Sequence, residues 1–369
     1  MQNKLIIRLA GAGLALTFAA CDLLDDKKSP PEGVSGLDSP WIGKSIDSLS
    51  NAGGLAFVDG KLYVANGHAT TPGVAAVDTA TGLITAYYPT PIAPVGLAVT
   101  ASGKVVVTET DYANGAISVI DPATKRVRQD VLPFGTDPGI SSEDGKVFLF
   151  NHTTGSVTGF TGNTPGANVV LDVQAGAGSN PYAIAIAGGK AYIARYNLGS
   201  LLILNDASAI GGGTRDSIDL SAYVSHAPID TPAVAPRMSA VTAFGGYVFV
   251  ALQRLNIHYS ALDTSLVVVI NASTKAIEKT IPLTYRNPVS AEVRGGVWYI
   301  AGEQGGQGDG NHNGGVEKID LASRTHAGTV TTEAFLGGDV SSYLPTSSSG
   351  GYAVYGIGWP NYKVKKVSP

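Results

Sequence analysis

The chain has 369 residues, a formal net charge of −4, 15% charged residues and a single cysteine. Sparse, slightly acidic charge excludes nucleic acid as a partner, because phosphate binding needs clustered Lys and Arg, and one cysteine excludes an intrachain disulfide. With 47 Gly and 20 Pro among many short apolar runs, the composition calls for an all-β domain rich in turns.

Residues 1–20 read as a signal peptide. Lys4 and Arg8 form a basic start, Leu9 to Ala20 an apolar run, and Thr17-Phe18-Ala19-Ala20 a small-residue ending before Cys21. A run this short does not span a bilayer, which needs about 20 residues. Small residues followed at once by cysteine resemble the bacterial lipobox, with Phe18 in place of the usual Leu. That resemblance implies lipidation of Cys21, a palmitate-bearing anchor and an address in the cell envelope, on the outer membrane or cell surface. Residues 21–40, polar and carrying Ser29-Pro30-Pro31-Glu32-Gly33, read as a flexible tether.

From residue 41 onward one pattern recurs. A glycine precedes a short apolar strand at Gly60, Gly103, Gly145, Gly189, Gly246, Gly296 and Gly351, at spacings of 43, 42, 44, 57, 50 and 55 residues. A period of about 40–50 residues built from short strands is the pattern of propeller blades. Each unit begins with an inner strand of small residues, near 53, 95, 138, 181, 237, 288 and 338. The glycine strand is second. A third strand ends in Asp78, Asp121, Asn271 or Asp320, whose side chains fold onto the following turn as structural Asx residues, and an outer strand completes the unit. The seventh unit stops after three strands, so the segment 41–46 is placed to supply its fourth and close the ring, removing the unpaired edge.

The best copies, Gly60-Lys-Leu-Tyr-Val-Ala-Asn66 and Val77-Asp78-Thr-Ala-Thr-Gly82, resemble the YVTN-type β-propeller repeat family. The resemblance covers residues 41–369, is strongest in the first two units, and implies a seven-bladed propeller of the cell envelope or surface. It implies no chemistry, since propellers host binding proteins, lyases and oxidoreductases alike.

Up-and-down connectivity gathers the second-to-third loops and the blade-to-blade links on one rim. The candidate binding residues there are Asn66, His68, Glu109, Tyr112, His152, Arg195, Tyr196, Arg254, Tyr259, Glu303 and Trp359, and the links bring Asp137, Asn180, Arg237 and Asn287. The longest insertions, 221–237, 254–265 and 303–315, fall on the same rim, where a rigid scaffold usually carries its binding loops. Four histidines (His68, His152, His258 and His312) also fall there, which admits a metal site or acid–base chemistry. Asp309, Asn311 and Asn313 resemble the opening ligands of a calcium loop, with Gly314 as its turn residue. Position twelve, however, is Asp320, which the blade turn already explains, so a flexible glycine-rich loop competes with Ca²⁺ binding.

Three functions remain open at this stage. The first is a lipid-anchored binding module, monomeric or partnered with a membrane transporter, holding a small molecule or protein at the loop-rich rim. One form of it resembles surface lipoproteins of gut bacteria that capture corrinoids with a YVTN-like propeller. The second is a lyase- or dehydrogenase-like propeller enzyme using His152, His312, Glu109 and Glu303 at the channel mouth. The third is a structural or adhesion lipoprotein.

Overall fold

The computed structural model describes residues 45–46, 52–68, 70–208, 211, 213–226, 235–261, 263–303, 311–347, 350–357 and 361–368. It contains seven four-stranded antiparallel sheets arranged as the blades of a propeller. The inner strands are Ala52–Val58, Pro94–Val99, Pro138–Glu143, Pro181–Ala187, Met238–Phe244, Pro288–Arg294 and Asp339–Ser347, which we number as blades I to VII. The inner strand of blade I packs beside those of both blade II and blade VII, so the ring is closed. The closing strand is Ser45–Ile46, which pairs with Tyr362–Val367 through Ser45↔Lys365 and Ile46↔Val364. Chain start and chain end thus share one sheet, and no seam is left open.

The core lies between blades rather than at the axis. Tyr192, Leu201 and Ile203 of blade IV pack on Val248, Val250 and Val268 of blade V. Leu62 and Val64 of blade I pack in the same way on Tyr352, Val354 and Val364 of blade VII. Period-two alternation gives each sheet two apolar faces, and each face is covered by a neighbouring blade. Toward the axis the strands crowd. A Cβ at Gly54 would lie 2.7 Å from the Leu97 nitrogen, and one at Gly53 would lie 2.8 Å from the Val95 oxygen, so glycine is what lets these inner strands approach.

The Asx turns form as the sequence requires. Asp78 Oδ1 accepts from the backbone of Ala80 at 3.0 Å and Thr81 at 2.9 Å, and Asn271 Oδ1 from Ser273 at 3.0 Å and Thr274 at 3.1 Å. The Thr81 and Ala80 N–H groups hold the Asp78 carboxyl below its ordinary range. These residues shape turns on the face opposite the long loops. Among the described residues no helix is long and apolar enough to cross a membrane.

Candidate functional site at the channel mouth

The mouth is built by a clamp repeated in five blades. The carbonyl of a link residue accepts from the backbone N–H just past the second strand of the same blade. The pairs are Ala93 with Thr110 (2.9 Å), Asp137 with His152 (3.1 Å), Asn180 with Tyr196 (3.0 Å), Arg237 with Gln253 (2.9 Å) and Asn287 with Glu303 (3.3 Å). Each blade therefore sets one link side chain beside one loop side chain at the same height. Asn180, Arg237 and Asn287 adopt left-handed backbone, with φ of 50°, 59° and 52°. Just beyond them the register slips, between Pro181 and Ala183, Met238 and Ala240, and Pro288 and Ser290. A bulge of this kind re-aims the residue it skips, and in blade IV that residue is Tyr182.

Tyr182 is the centre of a continuous stack. Its ring lies 4.7 Å from His152 at 14° and 4.6 Å from Tyr196 at 20°. The Arg237 guanidinium then sits 5.1 Å from the Tyr196 centroid and 4.8 Å from that of Tyr259. Five side chains from blades III, IV and V form one ladder, an arrangement in which offset rings and a cation on ring faces attract. Its ends are held. His152 Nδ1 is 3.3 Å from Asp137 Oδ2, and Tyr196 donates its hydroxyl to Gln253 Oε1 at 2.7 Å. Gln253 Nε2 donates to the Pro288 carbonyl at 2.9 Å, and Arg237 Nη1 to Asn197 Oδ1 at 2.6 Å. Gly139 makes room for the imidazole: a Cβ there would lie 2.8 Å from His152 Nε2.

Electrostatics place further groups on the same mouth. Burial pushes the Tyr182 phenol well above its usual value, and Tyr196, Asp137 and Tyr259 add to the rise while Arg237 opposes it. Tyr112 is 40% exposed, yet desolvation is the first cause that raises its phenol, followed by Asp137 and Tyr362. Tyr362 is pushed up to about 12 by burial, then by Glu303 and Asp339. Asp137 of blade III and Tyr362 of blade VII thus both act on Tyr112 of blade II at the opening. On the blade VI side, His312 Nδ1 meets Asp339 Oδ1 at 2.8 Å, and Glu333 anchors the loop by accepting from Gly314 at 2.6 Å and Val340 at 3.0 Å.

Of the rim residues named from sequence, Tyr112, His152, Tyr196 and Tyr259 come together here. Glu303, 7% exposed, accepts from Asn287 Nδ2 at 3.2 Å beside them. Four others are turned away from the mouth. Glu109 is fully buried within its blade, because alternation points it into the sheet packing rather than onto the rim. Asn66 is also buried and donates to the Tyr87 hydroxyl at 2.9 Å. Arg195 ties its own loop, donating from Nε to Ser200 O at 2.9 Å and from Nη1 to Ala175 O at 3.2 Å. Arg254 staples the long loops through Tyr223 O at 3.0 Å and Thr264 O at 2.8 Å. These short distances spend the guanidinium donors on backbone, where they hold loop shape.

His68 accepts locally from Thr70 in blade I, and the exposed His258 donates its backbone N–H to Asn256 Oδ1. The four rim histidines do not converge, and among the described residues no group of three or more His, Cys, Asp or Glu side chains could hold a metal ion. Asn311 and Asn313 are exposed on either side of His312. Asp309, Trp359 and Cys21 lie outside the described residues. Tyr182 and Asp339 are the residues that sequence reasoning missed. The available signal was an aromatic in Asn180-Pro181-Tyr182 where the parallel links read Asp137-Pro138-Gly139 and Asn287-Pro288-Val289.

Two open grooves lie elsewhere. Grooves of about 310 and 350 Å³ lie on the opposite face, one between blades IV and V beside Ile186 and Phe244, the other between blades VII and I beside Phe57 and Tyr352. The second is lined by polar side chains, Thr79, Thr346, Ser347 and Lys366, but neither groove joins the stacked rings of the mouth, so we place the candidate site there on chemistry rather than on volume.

No known family model matches the sequence, and no curated protein matches it. Solved structures do resemble the fold. Virginiamycin B lyase from Staphylococcus aureus superposes with a TM-score of 0.57 at 11% identity, covering 88% of this chain and 98% of that one. A catalytically inactive variant of that lyase with quinupristin gives 0.60 at 11%, with the same coverage. The WD40 β-propeller domain of Doa1 gives 0.58 at 10%, covering 89% and 96%. At such identities the likeness establishes the seven-bladed propeller alone.

Proposed function

We propose that this chain is a binding protein of the cell envelope, anchored through Cys21 and holding its ligand at the mouth over blades III to VI. The observation that carries the reading is the His152–Tyr182–Tyr196–Arg237–Tyr259 ladder beside the half-exposed Tyr112. Ring faces at a concave opening, with a few oriented polar groups, suit a ring-bearing molecule. The envelope part rests on the basic start, apolar run and cysteine of residues 1–21.

The mouth is tested by a thermal-shift screen of small molecules against the wild type and Tyr182→Ala. Binders that shift the wild type and not the variant support it; binders that shift both equally remove it. Labelled palmitate incorporation abolished by Cys21→Ser tests the anchor, and protease shaving of intact cells tests surface exposure. Corrinoid capture is a finer form brought in by the family resemblance. Calorimetry with cyanocobalamin tests it, and absence of binding discards that form while leaving the mouth in place.

An enzyme is the second reading, favoured by one observation. His152 and His312 each carry an aspartate on Nδ1, the arrangement that orients an imidazole for general acid–base work. Turnover of any mouth ligand that is lost in both His152→Gln and His312→Gln supports it; binding without turnover returns the reading to a binding protein.

A further inference from the structure

The buried side-chain atoms with no hydrogen-bond partner include Asn180 Oδ1, Arg237 Nε and Asn287 Oδ1, with the Ser179 and Ser239 hydroxyls close to them in the chain. The first three occupy equivalent positions. Each belongs to the link residue directly before an inner strand, in three consecutive blades, with left-handed backbone and an exposure of 8, 6 and 2%. Buried polar groups in folded proteins are almost always paired, so three orphans at equivalent positions call for a cause.

Arg237 is the sharpest case. Asn adopts left-handed backbone readily; Arg does so at a cost. Its guanidinium is withdrawn from water against one neutral amide oxygen and two ring faces, and among the described residues no carboxylate pairs with it. An uncompensated buried charge is expensive. The nearby acids are engaged elsewhere, Asp137 with His152 and Glu303 with Asn287 Nδ2. Tyr196 is buried and Tyr259 only half-buried, so Tyr259 is the more accessible of the two rings that cover the cation.

The order around the arc is acceptor, cation, acceptor. Its complement is an anionic group flanked by hydroxyl donors, on a ring whose C–H face can lie on a tyrosine. We propose that the mouth over blades IV to VI recognises an acidic sugar. Its carboxylate takes Arg237 and its hydroxyls take Asn180 and Asn287. The inference rests on the mouth reading above and names the ligand class.

Calorimetry on the purified protein tests it with a trigalacturonate, the neutral galactose trisaccharide, and acetate and inorganic phosphate as bare anions. The acidic trisaccharide should bind at least about 10-fold more tightly than the neutral one, and Arg237→Asn, which keeps a residue tolerant of this backbone, should weaken it by about 10- to 100-fold. Arg237→Lys should recover part of the loss, since it restores charge without the fork. Asn180→Asp, isosteric and of the ligand's own sign, should weaken binding as well, and it decides the matter if Arg237→Asn fails to fold.

Equal affinity for acidic and neutral sugars, no binding of the acid, or a natively melting Arg237→Asn with unchanged affinity overturns the proposal. Bare anions binding as tightly as the trisaccharide overturn its sugar component. A Tyr182-dependent ligand of another class would leave the mouth reading standing while this inference falls.

Discussion

Asp78 and Asp320, on the face of short turns, and Asn180 and Asn287, on the mouth, are polar residues placed by one repeat and treated in opposite ways. On the turn face each carboxylate closes bonds within its own loop, as when Asp320 Oδ1 accepts from Ser323 N at 2.7 Å, and the side chains stand in water. On the mouth, the Asn180 and Asn287 Oδ1 atoms are buried and left unpaired. Among the described residues none of the unpaired buried side-chain atoms belongs to a turn of the opposite face. A bond closed inside one turn holds its shape whatever lies nearby, whereas a group left open in a dry place is stabilised only when something else arrives. One face is built to finish the fold, the other to stay incomplete.

Overfilling the mouth should break that contrast most. Gly139→Val sets a side chain against His152 and drives the ring off Tyr182, so urea unfolding should show a loss of about 1–3 kcal/mol together with loss of mouth binding. Gly60→Asn is the counterpart on the turn face, where φ is 76° and a Cβ would meet nothing within 4 Å. It should stay within about 0.5 kcal/mol. A larger effect at Gly60 than at Gly139 would erase the distinction.

A double-mutant cycle on His152→Ala and Tyr182→Ala sharpens it. Two stacked rings bridging blades III and IV should couple by about 0.5–1.5 kcal/mol in stability. Coupling near zero would reduce the ladder to rings that merely lie close.

The far end of the channel offers a smaller effect. Glu292 of blade VI has its carboxyl pushed up to about 7 by burial and then by the Glu143 charge, and Glu143 is itself raised by burial. The Glu292 side chain is exposed, so solvent screening limits the effect. Its folded value lies above that of the unfolded chain, so ionising it opposes folding. The destabilisation is absent below the ordinary carboxyl value of 4.5, grows as pH rises, and is complete above about 7. Melting curves should therefore show Glu292→Gln matching the wild type at pH 4 and exceeding it at pH 8, by about 1 kcal/mol or less once solvent screens the charge. A gain that is the same at both pH values would rule out the linkage.

The smallest change is expected of Asp320→Ala. It should lower the melting midpoint slightly, through one exposed turn, and leave every mouth ligand bound as before. Any loss of binding from that substitution would tie the two faces together.

Much of the fold was legible because each blade writes its own instructions locally. The glycine before each second strand, the Asx residue that ends the third strand in blades I, II, V and VI, and the small residues of the inner strands act within a few positions of one another, and they recur. The mouth was legible in part. Tyr112, His152, Tyr196 and Tyr259 stand out as bulky residues at loop positions, while Glu109, Asn66, Arg195 and Arg254 look the same in sequence and turn inward. Which way a side chain leaves a loop depends on bulges and on carbonyls supplied by other segments.

By itself the sequence determined the repeat, the seven blades and the closing strand, since strand alternation and turn chemistry are short-range and each copy restates them. The tertiary structure alone decided that Tyr182, Arg237 and Asp137 meet on one opening. Those contacts join blades some 40–60 residues apart in the chain, and they exist only once the ring has closed and set neighbouring links at the same height.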